Sequence, residues 1–143
     1  MSEKNLPVLL EGMLVDLVPF STPFHDLMHE WLNDDGAYFW SMGDRWFPTL
    51  EGVRRHQTER NQRRADNPAS GVGFGIQTKD GKLIGYFGIH RLEPHCRQGM
   101  LSAMIGDRDY WGGGYGTDAL LLVIDYAFDW LDFRRIWLHT MAA

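Results

Sequence analysis

An α/β sandwich is the fold class that the sequence predicts, on three observations. Short β-rich runs and amphipathic helical stretches follow one another in the order β-α-α-β-β-β-α-β. Two of the β-rich runs flank Asp80-Gly81, the strongest short-range hairpin signal. Four glycines fall within the five residues from Gly112 to Gly116 and join a strand-like run to a long apolar helix. At 143 residues, 44% apolar and 23% charged, the chain reads as one soluble domain over 1–143 with a single core.

The elements follow in order. Met13 to Val18 alternates apolar and polar and stops at Pro19, a first strand. Phe24, Leu27, Met28, Trp31 and Leu32 share one helical face, with Thr22 as cap and Pro23 in the first turn. From Asn33 to Pro48 neither period appears, and Tyr38, Phe39, Trp40 and Trp46 predict a loop with aromatic side chains over a cleft or the core. Leu50 to Asp66 favours a largely exposed helix with a weak inner face of Val53, His56, Gln57 and Arg60, ended by Asn67-Pro68. In the second strand of the hairpin, Ile84, Tyr86 and His90 fall on one face and Leu83, Phe87 and Ile89 on the other. Both faces are therefore apolar, as in a central strand. Gly99 to Gly106 reads as the next strand. The helix from Tyr115 to about Leu131 sets a polar stripe of Asp118, Asp125, Asp129 and Asp132 against Leu120, Ile124, Ala127, Phe128 and Leu131. Arg134 to Thr140 reads as a last strand.

Charge and composition exclude several functions. A net charge of -5 argues against nucleic acid or an anionic membrane as partner, and no apolar run is long enough to cross a bilayer. The N-terminal residues lack the basic start and unbroken apolar core of a signal peptide, which predicts a cytoplasmic protein. Cys96 stands alone, so no intrachain disulfide forms.

The glycine cluster does not fit two familiar phosphate loops. A Walker A loop needs Gly-Lys-Ser/Thr, and "GGGYGT" has no lysine. A dinucleotide fingerprint needs a third fixed glycine, where Thr117 stands, and a further βαβ unit. Two readings remain: a main-chain cradle, in which amides at a helix start, with its positive dipole end, hold a phosphate or pyrophosphate and Thr117 can add a hydroxyl donor, or a tight connection that only lets helix and strand pack closely; the preceding strand and the amphipathic helix that follows favour the cradle.

"LSAMIGDRDYWGGGYGTDALLLVIDYAF" resembles the acetyl-CoA-binding motif of the GNAT superfamily of N-acetyltransferases, in particular the branch that acetylates ribosomal-protein N-termini and polyamines. "LLEGMLVDLVPF", "HEWLNDD" and "KLIGYFGIHRLEPHCRQG" extend the similarity weakly toward the front. The resemblance implies a mixed, mostly antiparallel sheet flanked by helices. It implies acetyl-CoA as cosubstrate, with no metal. The pyrophosphate would lie on the loop headed by Trp111, against the backbone of Gly112, Gly113, Gly114, Tyr115, Gly116 and Thr117. The pantetheine arm would pair with the strand ending in Met104, Ile105 and Gly106. A primary amine, small molecule or peptide, would attack the thioester directly, and a strand amide would stabilise the oxyanion.

Departures from the family carry their own expectations. Trp111 stands for the usual Gln or Arg, and Gly113 for a common lysine. Met100 stands where many relatives carry a glutamate that helps deprotonate the amine, which leaves His90 first, then Glu93, with His95 nearby, as candidate bases. Family members continue past the fifth strand with an asparagine-containing turn, a tyrosine-bearing helix and two more strands, whereas "HTMAA" closes this sequence. The expectation is a C-terminally truncated domain whose open fifth strand and exposed Trp137 favour a homo-oligomer. A non-catalytic acyl-CoA-binding or interaction module is the alternative.

Three further groups carry less. His25, Asp26 and His29 mimic a helical zinc motif, but without a third ligand they read as histidines bordering a solvent-facing stripe. His95-Cys96 has no partner motif. Arg54, Arg55, Arg60, Arg63 and Arg64 read as a solvated basic face, or else as a contact for an acidic partner or a CoA phosphate.

Overall fold

The computed structural model describes residues 6–34, 47–93 and 95–138. Six strands form one sheet in sequence order: β1 (Leu10–Glu11), β2 (Val15–Pro19), β3 (Gly71–Thr78), β4 (Leu83–Glu93), β5 (Gln98–Ile105) and β6 (Arg135–Trp137). Neighbours from β1 to β5 run antiparallel, and β6 joins β5 in parallel. The helices are α1 (Pro23–Leu32), α2 (Leu50–Asp66) and α3 (Tyr115–Asp125). This is the mixed, mostly antiparallel sandwich expected from the sequence, with β1 as an addition. Most of the aromatic segment from Tyr38 to Phe47 lies outside the described residues; Phe47 itself is exposed.

The sheet separates two cores. On one face Val15, Leu17, Phe74, Ile76, Phe87 and Ile89 meet Ala119, Val123 and Ala127 of the C-terminal helix. On the other, Val18 and Met104 meet Phe24, Met28 and Trp31 of α1 and Val53 of α2. Two glycines, Gly75 in β3 and Gly106 just past the end of β5, give α1 its seat. A Cβ on Gly75 would stand 2.0 Å from the Phe24 ring, and one on Gly106 would stand 2.1 Å from the Trp31 indole. Each aromatic ring therefore rests directly on glycine backbone, and any other residue there would push α1 off the sheet.

The periodicity is corrected at four places. Ile84 packs in the α3-side core with Phe87 and Ile89, while Leu83 and Tyr86 pack on the α1 side. The register shift at Ile76/Gln77 leaves Ile84 as an extra residue opposite β3, and such a bulge reverses the facing of the residues before it. Thr22 has helical dihedrals and makes no side-chain cap, so Pro23 alone marks the start of α1. Thr49, by contrast, caps α2 through its hydroxyl, which accepts from Gly52 N–H at 3.0 Å. The α helix after the glycines ends at Asp125 and widens to a π turn over Tyr126–Trp130, which leaves Phe128 40% exposed rather than in the core.

Asp118 is the fourth correction. It leaves the solvent stripe and accepts backbone N–H groups of Met13, Leu14 and Val15 at 3.3, 2.9 and 3.0 Å. A Cβ on Gly12 would stand 2.5 Å from its carboxylate, so only glycine lets the β1–β2 turn close over the start of α3. Burial opposes its ionisation, but the backbone donors outweigh this and hold the carboxyl below its ordinary range.

Candidate functional site

The glycine loop has the geometry of an anion cradle. Gly112 and Gly114 adopt φ of +80° and +90°, a region that favours glycine, and the space over Gly112 is open for 4 Å around a notional Cβ. Gly114 occupies the N-cap of α3 with no side chain capping the helix. Among the described residues no acceptor takes the amides of Gly112 through Thr117. Uncapped N–H groups at a helix start are what a phosphate binds. A pyrophosphate fits these residues.

The adjoining strand is open along its outer edge. β6 pairs with β5 only at Gln98↔Arg135, Gly99↔Ile136 and Met100↔Trp137; beyond Met100 no strand covers β5 among the described residues. Gly106 N–H donates to Ile84 O at 2.8 Å, so by antiparallel alternation Met104 and Ser102 also turn their backbone toward β4, and Leu101, Ala103 and Ile105 turn theirs outward. The strand expected to pair with the pantetheine arm, Leu101 to Gly106 with Met104, Ile105 and Gly106 at its end, thus presents its backbone unevenly. Gly106 spends its amide inside the sheet and Met104 buries its side chain against the α1 helix, leaving Ile105 as the one residue of that trio at the open edge. Trp111, at the head of the loop, donates its indole N–H to Ile105 O at 2.7 Å, with the Arg108 guanidinium 5.7 Å from its ring centre.

His90 and Ser102 meet across β4 and β5. His90 lies directly opposite Met100 in the ladder, beside the position where a base was missed. Its Nε2 is 2.5 Å from Ser102 Oγ, and Arg64 approaches its Nδ1 at 3.3 Å. A guanidinium only donates, so Nδ1 is the acceptor and Nε2 carries the proton toward Ser102. Glu93 ends β4 opposite Gln98, and its side chain lies outside the described set. His95 and Cys96 are exposed in the following turn.

The inner face of α2 is Val53, Gln57, Arg60 and Arg64, at i, i+4, i+7 and i+11; His56 turns outward instead. Arg60 and Arg64 are half-buried, which overturns the solvated basic face for these two, and burial pushes both guanidinium values down. Arg54 keeps to the surface in a pair with Asp26. His25 is also not on a solvent-facing stripe: it is 6% exposed, its Nε2 is buried with no partner, and burial lowers its pKa. The sequence reading missed the placement of Arg60 and Arg64 because α2 shows little apolar periodicity. Among the described residues no three His, Cys, Asp or Glu side chains converge as metal ligands, and no helix is long and apolar enough to cross a membrane.

Known proteins match this chain in sequence and in fold. The profile of the acetyltransferase (GNAT) domain covers residues 15–143, and the chain belongs to this family. The Bacillus subtilis (strain 168) protein named "Probable N-acetyltransferase YjcK" is 36% identical over 92 residues, 62% of this chain and 48% of that protein. The chain thus spans about half the length of this curated relative. Spermidine N-acetyltransferase from Vibrio cholerae, solved in complex with CoA and spermine, superposes with a TM-score of 0.76 at 16% identity, over 89% of this chain and 71% of that one. A dodecameric structure of spermidine N-acetyltransferase from the same organism gives 0.69 at 18% identity, over 89% and 70%. At these identities the likeness establishes the fold.

Proposed function

We propose that the chain is an N-acetyltransferase that moves an acetyl group from acetyl-CoA to a primary amine by direct attack within a ternary complex. The observation that carries this reading is the run of amides from Gly112 to Thr117, without acceptors among the described residues, at the uncapped start of α3 next to the open edge of β5. The pyrophosphate takes the amides, and the pantetheine arm completes the sheet along Leu101, Ala103 and Ile105 as a strand would. An outward amide of β5 is then placed to stabilise the oxyanion. His90, with Glu93 at the end of the same strand, handles the amine proton. Acting as base requires the other tautomer of His90, with Nε2 accepting from the Ser102 hydroxyl, and this becomes available when Arg64 turns away from Nδ1. The spermidine acetyltransferases of the same fold support a small amine as acceptor, and the dodecameric structure supports association of this chain with copies of itself. A lone exposed thiol at Cys96 and dependence on acetyl-CoA fit a cytoplasmic protein.

Calorimetry with acetyl-CoA, beside a thiol-release assay over an amine panel, tests the reading. Saturable binding and release of CoA with at least one amine are expected. Binding without release on any amine favours the non-catalytic module, and neither binding nor release defeats both. Gly114→Val forces a branched side chain to φ of +90°, a strain of about 1–3 kcal/mol, and is expected to weaken acetyl-CoA binding at least about tenfold. Unchanged affinity would remove the loop from the site.

A further inference from the structure

Beyond the contact of Arg64 with His90, the acetyl-transfer scheme gives Arg60 and Arg64 no role, yet both line a cleft. With Tyr86, His90 and Ser102, and the apolar Phe20, Met28 and Phe87, they line a shallow open cleft whose cavity volume is about 10 Å3, so a larger group would sit at its mouth. Among the described residues no carboxylate pairs with either arginine, whereas Arg54, Arg97 and Arg108 each find an aspartate. Arg64 is also seated deliberately. A Cβ on Gly73 would stand 2.4 Å from one terminal nitrogen, and one on Gly71 3.2 Å from Nε, so the glycines of β3 make a slot for the guanidinium against the sheet. Its other terminal nitrogen reaches His90. Two half-buried cations beside each other, without a counter-charge, leave an unmet demand for an anion.

We propose that this cleft holds an anionic oxyacid group of the acceptor, a carboxylate or phosphate, so that the amine acetylated is one that also carries such a group. The assignment to the acceptor rests on the acetyltransferase reading above. Ser102 is four residues along β5 from Gly106, about 13 Å at 3.3 Å per residue, on the side away from the glycine loop. That is the thioester end of a pantetheine arm whose pyrophosphate lies on the loop, so the cleft faces the incoming amine and not the nucleotide phosphates. A polyamine, cationic throughout, would be repelled by the same two guanidiniums.

Matched pairs test it: O-phosphoethanolamine against ethanolamine and 4-aminobutyrate against butylamine, with spermidine alongside, titrated calorimetrically into the full chain with CoA present and absent. The anionic member of at least one pair is expected to bind at least tenfold more tightly than its neutral twin. Arg60→Gln and Arg64→Gln are each expected to erase that preference with circular dichroism and acetyl-CoA affinity unchanged, while Arg55→Gln on the exposed side of α2 keeps it. Comparison of the two pairs separates phosphate from carboxylate. Twins that bind alike in both pairs, tighter binding of spermidine, or no saturable binding of any probe would overturn the proposal. So would a loss of acetyl-CoA affinity in the arginine variants that dephospho-acetyl-CoA does not share, which would assign the arginines to the nucleotide. Because the titration reads binding without turnover, failure to release CoA defeats only the acetyltransferase reading, and the twins still decide the anion cleft.

Discussion

Two buried or bridging side chains make this protein sensitive to acid, for different reasons. The Asp118 carboxyl has a folded value below the 3.8 of the unfolded chain, so its contribution is complete above that value and is lost as pH falls through the folded one. Asp118→Asn is expected to flatten the loss of stability below about pH 4 in urea titrations, and Asp118→Ala to cost about 1–3 kcal/mol at neutral pH by stranding backbone donors. For His25 the folded value lies below 6.5, so the unfolded chain takes up a proton first and stability falls as pH drops from 6.5 toward the folded value. His25→Leu is expected to remove that slope below about pH 6.5, read as the pH dependence of the thermal midpoint. Neither role was legible in the sequence. Asp118 shares the spacing of solvent-facing Asp125 and Asp129, and only the approach of a turn more than 100 positions away distinguishes it. His25 sits beside exposed Asp26 with nothing local to mark its burial.

Among elements, the legible ones were those whose signal is local. The hairpin at Asp80-Gly81, the helix from Leu50 to Asp66 and the glycine loop each carry their own turn, cap or break, and all three stand where the sequence put them. What failed depends on a neighbour at Ile84, where the bulge is a mismatch between two strands; the π turn at Tyr126–Trp130 has no local signal such as Pro or Gly in its sequence. Within the candidate site, the cradle was readable because glycine reports backbone geometry directly. The arginine-lined cleft was not, because its depth comes from β3 glycines packed under α2. The seating of α1 gives a prediction at this scale. Gly75→Ala would drive a methyl group into the fully buried Phe24 ring and is expected to lower unfolding free energy by about 1–3 kcal/mol or more, measured by denaturant melts.

For the molecule as a whole, the C-terminal side of the sheet leaves apolar surface in water. Trp130, Leu138 and Phe128 are 74%, 54% and 40% exposed there, although Trp137, expected to be bare, is half-buried. Light scattering at micromolar concentration is expected to give a mass above one chain, and a mass of one chain would contradict association through this side. The parting of β5 from β6 has a consequence that isotope labelling can read. Along one strand, amides at Leu101, Ala103 and Ile105 face an unfilled seam while Ser102 and Met104 are locked to β4. Deuterium is expected to enter every second amide quickly and the ones between slowly, a comb pattern that an ordinary interior strand does not give. Acetyl-CoA lying in the seam would fill the gaps of the comb, so the strand that binds it also reports its arrival, residue by residue.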